Sequence, residues 1–294
     1  MGEKSNNFIY FILSSLFFLN ILSWSIVYDL KNCQLLEVDF FDVGQGDAVF
    51  IETCQRNQIL IDGGPTPVIL EKLSKEMPFW DRSIDLIILT HPEYDHLAGL
   101  LEVLKRYKVA NILWTGVIRD TSVFEQWQKL IEEEKVGEGA QIKIAEPNQK
   151  ITSPGLVMEI LHPFDNLEGE EFKGSNDTSI VAKLIFGQNS FLFTGDVSKS
   201  VEKELIEKEL DIDSDILKVG HHGSKTSSGE EFIEKVSPEI AVISAGKDNS
   251  YGHPYPEVLE TLAKYGIKVL RTDENGDIKI ISDGKSYGVS NFQN

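Results

Sequence analysis

The sequence predicts a mixed α/β (α+β) fold in which sheets pack on each other with helices outside. Three observations predict it. Short apolar runs and amphipathic helical stretches alternate in mixed blocks, not as regular βα repeats. Several runs form neighbouring pairs separated by glycine turns, the mark of antiparallel hairpins. Hydrophobic residues make up 41% of 294 residues and aromatics 10%, enough for a sizeable core in one large domain or two small ones.

The elements follow in order. Phe8–Val27 reads FIYFILSSLFFLNILSWSIV, about twenty residues without a charge. It fits an uncleaved membrane anchor, with a long signal peptide and a core helix as alternatives; no A-x-A cleavage site stands out. Lys4 before it gives a weak positive-inside bias, which puts the N-terminus inside and the body outside. The expected organisation is an anchor or signal segment over residues 1–30 and a hydrolase-sized domain over 31–294, membrane-anchored and extracytoplasmic, or secreted if the segment is cleaved.

LLEVDFF and AVFIET flank Gly44-Gln45-Gly46 and read as a hairpin. NQILIDGG adds a strand and Thr66–Glu76 a helix. IDLIILT is a continuously apolar strand of the buried kind, followed by the helix LAGLLEVLKRY. ANILWT is a strand and SVFEQWQKLIEEEK a charged amphipathic helix. VMEILHP, TSIVAKLIFG and NSFLFTGD are strands. KSVEKELIEKEL is a helix, DILKVG a strand, GEEFIEKV a helix, IAVISAG a strand and PEVLETLAKYG a helix. VLRTD and DIKIISDG are expected to close the chain as a hairpin around Asn275-Gly276. Repeats and low-complexity linkers are absent.

Lys+Arg number 28 against Asp+Glu 47, a net charge of −19. That argues against sequence-blind adhesion to nucleic acid through a broad basic surface, but not against an enzyme that meets phosphate through a metal and a few local donors. Cys33 and Cys54 form no CxxC and cannot build a structural zinc site alone. A hairpin turning at Gln45 sets Cys54 nearer residue 36 than residue 33, so two unpaired thiols are expected over a disulfide.

The chemistry concentrates at strand ends. His91 follows the buried strand IDLIILT, and Asp95 and His96 precede the next helix. NSFLFTGD delivers Asp196 after an apolar run, and DILKVGHHGS delivers His221 and His222. Four of only six histidines fall in these two clusters. Imidazole nitrogen with carboxylate oxygen suits a first-row dication, and a buried acid without a cation or donor is costly. The competing reading of HPEYDH is a polar loop that caps a helix, with Asp95 near its positive end. His253, in NSYGHP, is weak by itself.

These residues resemble a known family. HPEYDH, with the later TGD and GHHGS, resembles the ligand segments of the metallo-β-lactamase fold. DVGQGDA, LIDGG, HPEYDHLAGL, NDTSIV, FLFTGD, LKVGHHGS and NSYGHP occur in the order typical of the exported hydrolase domain of the ComEC group of competence DNA-uptake proteins, over roughly residues 36–282. The resemblance implies a four-layer αββα sandwich with one or two divalent metals at one edge of the sheets. Glu93 stands where the broad superfamily has a second histidine, and Asn176-Asp177-Thr178-Ser179 occupies the region of a missing third-motif histidine. One position would then be oxygen-rich, which suits Mn²⁺ or Mg²⁺ better than Zn²⁺.

The resemblance implies one well-made site from Asp95, His96, Asp196 and one of His221 and His222, with His221 preferred because it directly follows the strand. A second, weaker site would use His91, Glu93 and the shared Asp196, unless Glu93 points away. Asp62 is expected to orient ligands. Asp42 and Asp47 either belong to the turn or line the site, and Gly44 and Gly46 would let backbone approach the metals. Asn176, Lys225, Asn249, Tyr251 and His253 are candidates to bind a substrate phosphate, with ordinary surface roles as the alternative. His162 reads as structural. Asp95 would orient or deprotonate a water, and His253 would hold the phosphate or protonate the leaving oxygen.

The function expected is a metal-dependent phosphodiesterase or nuclease, acting on DNA during uptake with a separate membrane channel protein as partner. A choline-phosphate type esterase of the cell surface, whose family shares GQGDA and GHHG, and a metal-poor partner-binding domain are the alternatives.

Overall fold

The computed structural model describes residues 3–32 and 35–290. Helix α1 (Glu3–Asn32) carries the window Phe8–Ser25, long and apolar enough by length and composition to cross a membrane.

Strand β1 (Leu36–Phe40) starts the sandwich, and β2 (Val49–Thr53) and β3 (Gln58–Ile61) follow as antiparallel neighbours. Helix α2 (Val68–Glu76) leads to β4 (Ser83–Leu89), helix α3 (Tyr94–Leu104) to β5 (Lys108–Trp114), and helix α4 (Ser122–Gly137) to β6 (Gln141–Ile144). These crossovers make β3 to β6 parallel. A second sheet begins with the meander β7 (Lys150–Ser153), β8 (Leu156–His162), β9 (Val181–Phe186) and β10 (Asn189–Phe193). Helix α5 (Lys199–Glu207) feeds β11 (Ile216–Lys218), α6 (Glu230–Val236) feeds β12 (Ile240–Ile243), and α7 (Pro256–Lys264) feeds β13 (Lys268–Arg271), all parallel. A one-turn helix α8 (Thr272–Asn275) returns the chain to the first sheet as β14 (Ile278–Ser282) and β15 (Tyr287–Ser290).

The orders are β15-β14-β1-β2-β3-β4-β5-β6 and β13-β12-β11-β10-β9-β8-β7. Alternation along the strands builds three cores. Val38, Phe40, Ile51, Met158, Phe191 and Ile216 fill the space between the sheets. Leu60, Ile87, Leu97, Leu100 and Trp127 join the first sheet to α2, α3 and α4, and Leu192, Leu217, Ile233 and Leu262 join the second to α5, α6 and α7. This is the four-layer αββα arrangement, with one apolar helix ahead of it.

Two expectations are corrected. VLRTD and DIKIISDG do not pair: β13 lies beside β12 in one sheet and β14 beside β1 in the other. Gly276, at φ 69°, ends α8 and turns the chain across instead of back. Cys54 is disulfide-bonded. The hairpin register runs one residue from the expected one, with the Cys54 N–H donating to Leu35 O at 3.0 Å; Cys33 lies outside the described residues.

Helix α3 sits unusually close to the Gly63-Gly64 turn. Gly99 N–H donates to Gly64 O at 2.8 Å, and Gly63 N–H to His96 O at 2.8 Å. A Cβ on Gly99 would lie 1.9 Å from Gly63 O. Gly99→Ala is therefore expected to destabilise by about 2–3 kcal/mol, despite alanine's better helix propensity, and to lower activity by displacing the helix start. Urea denaturation and turnover of the same sample check this.

On the helix-covered face of the first sheet, Asp39 and Lys279 are opposite each other across β1 and β14. Lys279 Nζ reaches Glu37 at 2.8 Å and Asp39 at 3.5 Å, and also pairs with Glu76. Three carboxylates share this ammonium, and burial with Glu76 nearby pushes Asp39 up to about 8. Between about pH 4 and that value the folded state keeps a proton the unfolded chain has released, so stability falls as pH rises. Asp39→Asn is expected to flatten that slope and to raise stability at pH 8 by roughly 1–3 kcal/mol. Thermal melts at pH 5 and pH 8 read it.

Candidate metal centre

The site is assembled by turns at the same ends of several strands. After β3 the chain turns through Asp62, at φ 59°, whose buried carboxylate accepts from Thr90 N–H at 2.8 Å, Thr90 Oγ1–H at 2.7 Å and His96 Nδ1–H at 2.8 Å. After β4 come Thr90 and His91, and α3 brings Asp95 and the buried His96 in its first turn. After β10, Gly195 at φ 51° places Asp196, whose N–H donates to Ser179 Oγ at 3.1 Å. After β11 both His221 and His222 take the left-handed conformation, φ 47° and 55°.

The three innermost imidazoles are held in one tautomer. His91 Nδ1 donates to Thr90 Oγ1 at 3.0 Å, whose own proton goes to Asp62. His96 Nδ1 is taken by Asp62, and His222 Nδ1 by Ser244 O at 3.1 Å with Asp47 at 3.2 Å. Each Nε2 is thereby left as a lone-pair donor toward a common centre. Asp196 Oδ2 lies 3.4 Å from His96 Nε2, 3.4 Å from His222 Nε2 and 4.0 Å from His91 Nε2. Asp95 Oδ2 lies 3.2 Å from His222 Nε2.

Asp95, His96, Asp196 and His222 each offer one atom within 4.8 Å of all the others. His91 Nε2, His96 Nε2 and Asp196 Oδ1 are buried without a hydrogen-bond partner. Orphaned donors of this kind, converging at a buried point, fit a divalent cation; without one they are a desolvation cost. The electrostatics agree. Burial opposes charge on His96 and His222, yet Asp196, with Asp62 and Asp95 for His96 and Asp47 for His222, raises both well above the ordinary imidazole value. Burial opposes the Asp196 carboxylate, and those two rings hold it well below the ordinary range. The same negative potential attracts a dication. Burial and His96 push His91 down to about 3, so it stays a neutral ligand.

Of the histidine pair, His222 and not His221 joins this group. The left-handed turn at both residues swings the first ring outward: His221 Nε2 is 3.8 Å from Asp196 and 3.2 Å from Asn176 Nδ2, and its Nδ1 meets Thr226 Oγ1 at 3.2 Å. Glu93 neither joins His91 nor points into solvent. Its Oε1 pairs with Arg119 at 2.9 Å and accepts from Ser175 Oγ at 2.6 Å, while Arg119 also donates to Phe172 O and Lys173 O. A permanent cation takes the carboxylate, which leaves the second, weaker position with His91 and the shared Asp196.

A cleft of about 170 Å³ opens over the cluster, lined by Gln45, Glu93, Asn176, His221, Tyr251 and His253 among others. Tyr251 is exposed and stacks on His253, with ring centroids 5.7 Å apart. Burial and the neighbouring His222 and His221 push His253 down to about 4. Lys225 and Asn249 are not in the cleft wall. Lys225 lies over the Tyr255 ring at 5.3 Å, and Asn249 spends its amide bracing the loop, on Gly246 O at 2.9 Å and on His253 O and N–H. His162 Nδ1 donates to Ser179 O at 2.7 Å, steadying the residue that receives the Asp196 N–H.

Asp42 stays in the turn, accepting Gly44 N–H at 3.2 Å. Asp47 is the buried acid behind His222. Burial alone would raise it, but Lys218 at 2.7 Å and His222 hold it below its ordinary value. Gly46 serves the close approach: a Cβ there would lie 2.2 Å from Asp95 O, whereas Gly44 has open space and supplies only a positive φ. Sequence reasoning missed Lys218 and Arg119. Lys218 left a signal, a lysine inside the apolar run DILKVG; Arg119 left none.

The fold and this cluster define a metal-dependent hydrolase, and the chain belongs to the metallo-β-lactamase superfamily, whose profile matches residues 41–247. Among individual proteins it is similar to ComE operon protein 3 of Bacillus subtilis (strain 168), 36% identical over 267 residues covering 83% of this chain and 32% of that protein. It is also similar to competence protein ComA of Neisseria gonorrhoeae, 30% identical over 244 residues, 82% of this chain and 32% of that protein. The chain thus spans about a third of the length of these curated relatives. Among solved structures, CmlA, a diiron β-hydroxylase from Streptomyces venezuelae, superposes with a TM-score of 0.50 at 13% identity, covering 80% of this chain and 52% of that one. At that identity the likeness concerns the fold alone.

Proposed function

We propose that the chain is a metal-dependent phosphodiesterase of the ComEC-like group, a nuclease working in DNA uptake. In this reading residues 31–294 form the hydrolase domain, α1 is a membrane anchor, the domain lies outside the cytoplasmic membrane, and a separate channel protein is its partner. The observation that carries the hydrolase part is the convergence of Asp95, His96, Asp196 and His222 with orphaned buried donors. The relatives' names, competence proteins, support the uptake role.

Asp95, His96, Asp196 and His222 would hold the first ion, and His91 with Asp196 would contribute to a second. Bound there, Mn²⁺ or Zn²⁺ supplies Lewis acidity and a water made acidic near neutral pH. The chain's own groups do the rest. Asp95 is the outermost of the four and half-open to the cleft, so it can orient a water or take its proton. His253, neutral with a buried and unpartnered Nδ1, stands across the cleft mouth to position a phosphoryl oxygen. Asn176 offers an amide beside His221.

One observation favours a second reading. Among the described residues the cleft wall carries no lysine or arginine, since Arg119 is spent on Glu93 and Lys225 on Tyr255. The exposed Tyr251 at the mouth could instead meet a quaternary ammonium, as in a phosphocholine ester of the cell surface.

Residues 30–294 loaded with Mn²⁺ or Zn²⁺ are to be assayed side by side on single- and double-stranded DNA, bis(p-nitrophenyl) phosphate and a phosphocholine ester. Cleavage of DNA and the generic diester, lost with EDTA and restored by metal, is the expected result. Turnover of the phosphocholine ester alone would move the assignment to the second reading. Activity that survives chelation would sink both.

A further inference from the structure

We propose that the edge of the sandwich opposite the metal cluster docks on the lipid surface, with Phe79 and Trp80 resting in the interfacial layer of the bilayer. The inference rests on the reading of α1 as an anchor and adds a second, peripheral contact to it.

Among the described residues outside α1, six large hydrophobic side chains are 41% exposed or more. Tyr94 and Tyr251 lie at the cleft end. The other four, Leu35, Phe79, Trp80 and Val136, all lie at the opposite end. Leu35 precedes β1, whose Leu36 pairs with Thr53 at the far end of β2. Phe79 and Trp80 precede β4, which runs from Ser83 at this end to Leu89 beside His91. Their loop is fixed to the same edge, with Gln58 Nε2 donating to Asp81 Oδ2 at 3.1 Å. Val136 is in the last turn of α4, which runs back from the site end.

Single exposed apolar residues are ordinary. A phenylalanine at 80% and a tryptophan at 73%, packed edge to face with centroids 4.8 Å apart, are a preformed aromatic pair with no protein surface against it. Trp and its aromatic neighbours favour the headgroup level of membranes, where an apolar ring and a polar N–H both find partners.

The occupant follows from chain length. The apolar window of α1 ends at Ser25 and the helix at Asn32, three residues before Leu35. Helical rise over the first stretch and extended chain over the second give a reach of about 20 Å at most. The edge that carries the aromatic pair is therefore tethered near the membrane. Phe79 and Trp80 lie three strand spacings from β1, about 14 Å to the side, close enough for one flat contact.

The test uses the full chain with Trp24→Phe, which leaves Trp80 as the one exposed tryptophan, because Trp114 and Trp127 are buried. Emission from Trp80 is the difference from Trp24→Phe/Trp80→Phe. The protein is reconstituted in phosphatidylcholine–phosphatidylglycerol liposomes containing lipids brominated near the headgroup or at mid-chain. We expect about half of the Trp80 emission to be lost to the shallow bromines and less to the deep ones. Hydrolysis by Phe79→Ser/Trp80→Ser should equal that of the parent chain. Flotation separates the two readings. Protein that does not float with the liposomes removes the anchor and this inference with it. Protein that floats but leaves Trp80 open to acrylamide and untouched by bromine overturns the docking alone, as does shielding that appears only when a membrane protein partner is added.

Discussion

Asp196→Asn is expected to lower turnover at least ~10³-fold, about 4 kcal/mol of transition-state stabilisation, while the domain stays folded. The amide keeps the shape, and the backbone N–H still donates to Ser179. What it loses is the charge that faces His91, His96 and His222 together. Bound metal measured by mass spectrometry should fall in parallel, and the circular dichroism spectrum should not change. His96→Ala is expected to be as inactive and also less stable, because the buried Asp62 loses its imidazole partner. Full activity in both variants would sink the assignment of the site.

Lys218→Met is expected to cost on the order of 3–5 kcal/mol, the usual penalty for leaving one buried charge without its partner. Lys218 shares the inner face of β11 with Ile216, so its side chain lies between the sheets. At only 2% exposure it crosses to Asp47, in the turn between β1 and β2 of the first sheet, at 2.7 Å and donates to Val219 O at 2.9 Å. It is a tie between the two halves of the sandwich, placed directly behind His222. Methionine matches its volume, so the loss is electrostatic and not a cavity. Denaturant titration reads the cost. Asp47→Asn added to Lys218→Met should recover part of it, since the stranded carboxylate is gone.

Much of this was legible in the sequence because it is local. The apolar run IDLIILT followed by HPEYDH put His91, Asp95 and His96 at one strand end, and the same logic found Asp196 and the histidine pair. The sheets and helices followed from periodicity, apart from short edge strands such as β6 and β7. What was not legible depends on where the chain goes afterward. Whether His221 or His222 faces the acids is decided by two left-handed residues, a backbone choice that composition does not show. Glu93 turns to Arg119, a residue 26 positions later whose approach only the folded structure supplies. The split between β13 and β14, and the one-residue register that sets Cys54 opposite Leu35, are non-local pairings of the same kind.

The direction of β1 and β4 has a last consequence. Both strands run from the end where α1 joins to the end that carries the cleft, so if α1 anchors the domain as proposed, the metal cluster is held one strand length, roughly 20 Å, beyond its base. Under that proposal the headgroups of the bilayer would be out of range, although many of them are phosphodiesters. A substrate of the proposed hydrolase would then arrive from the far side, as a soluble ester or a polymer threading past.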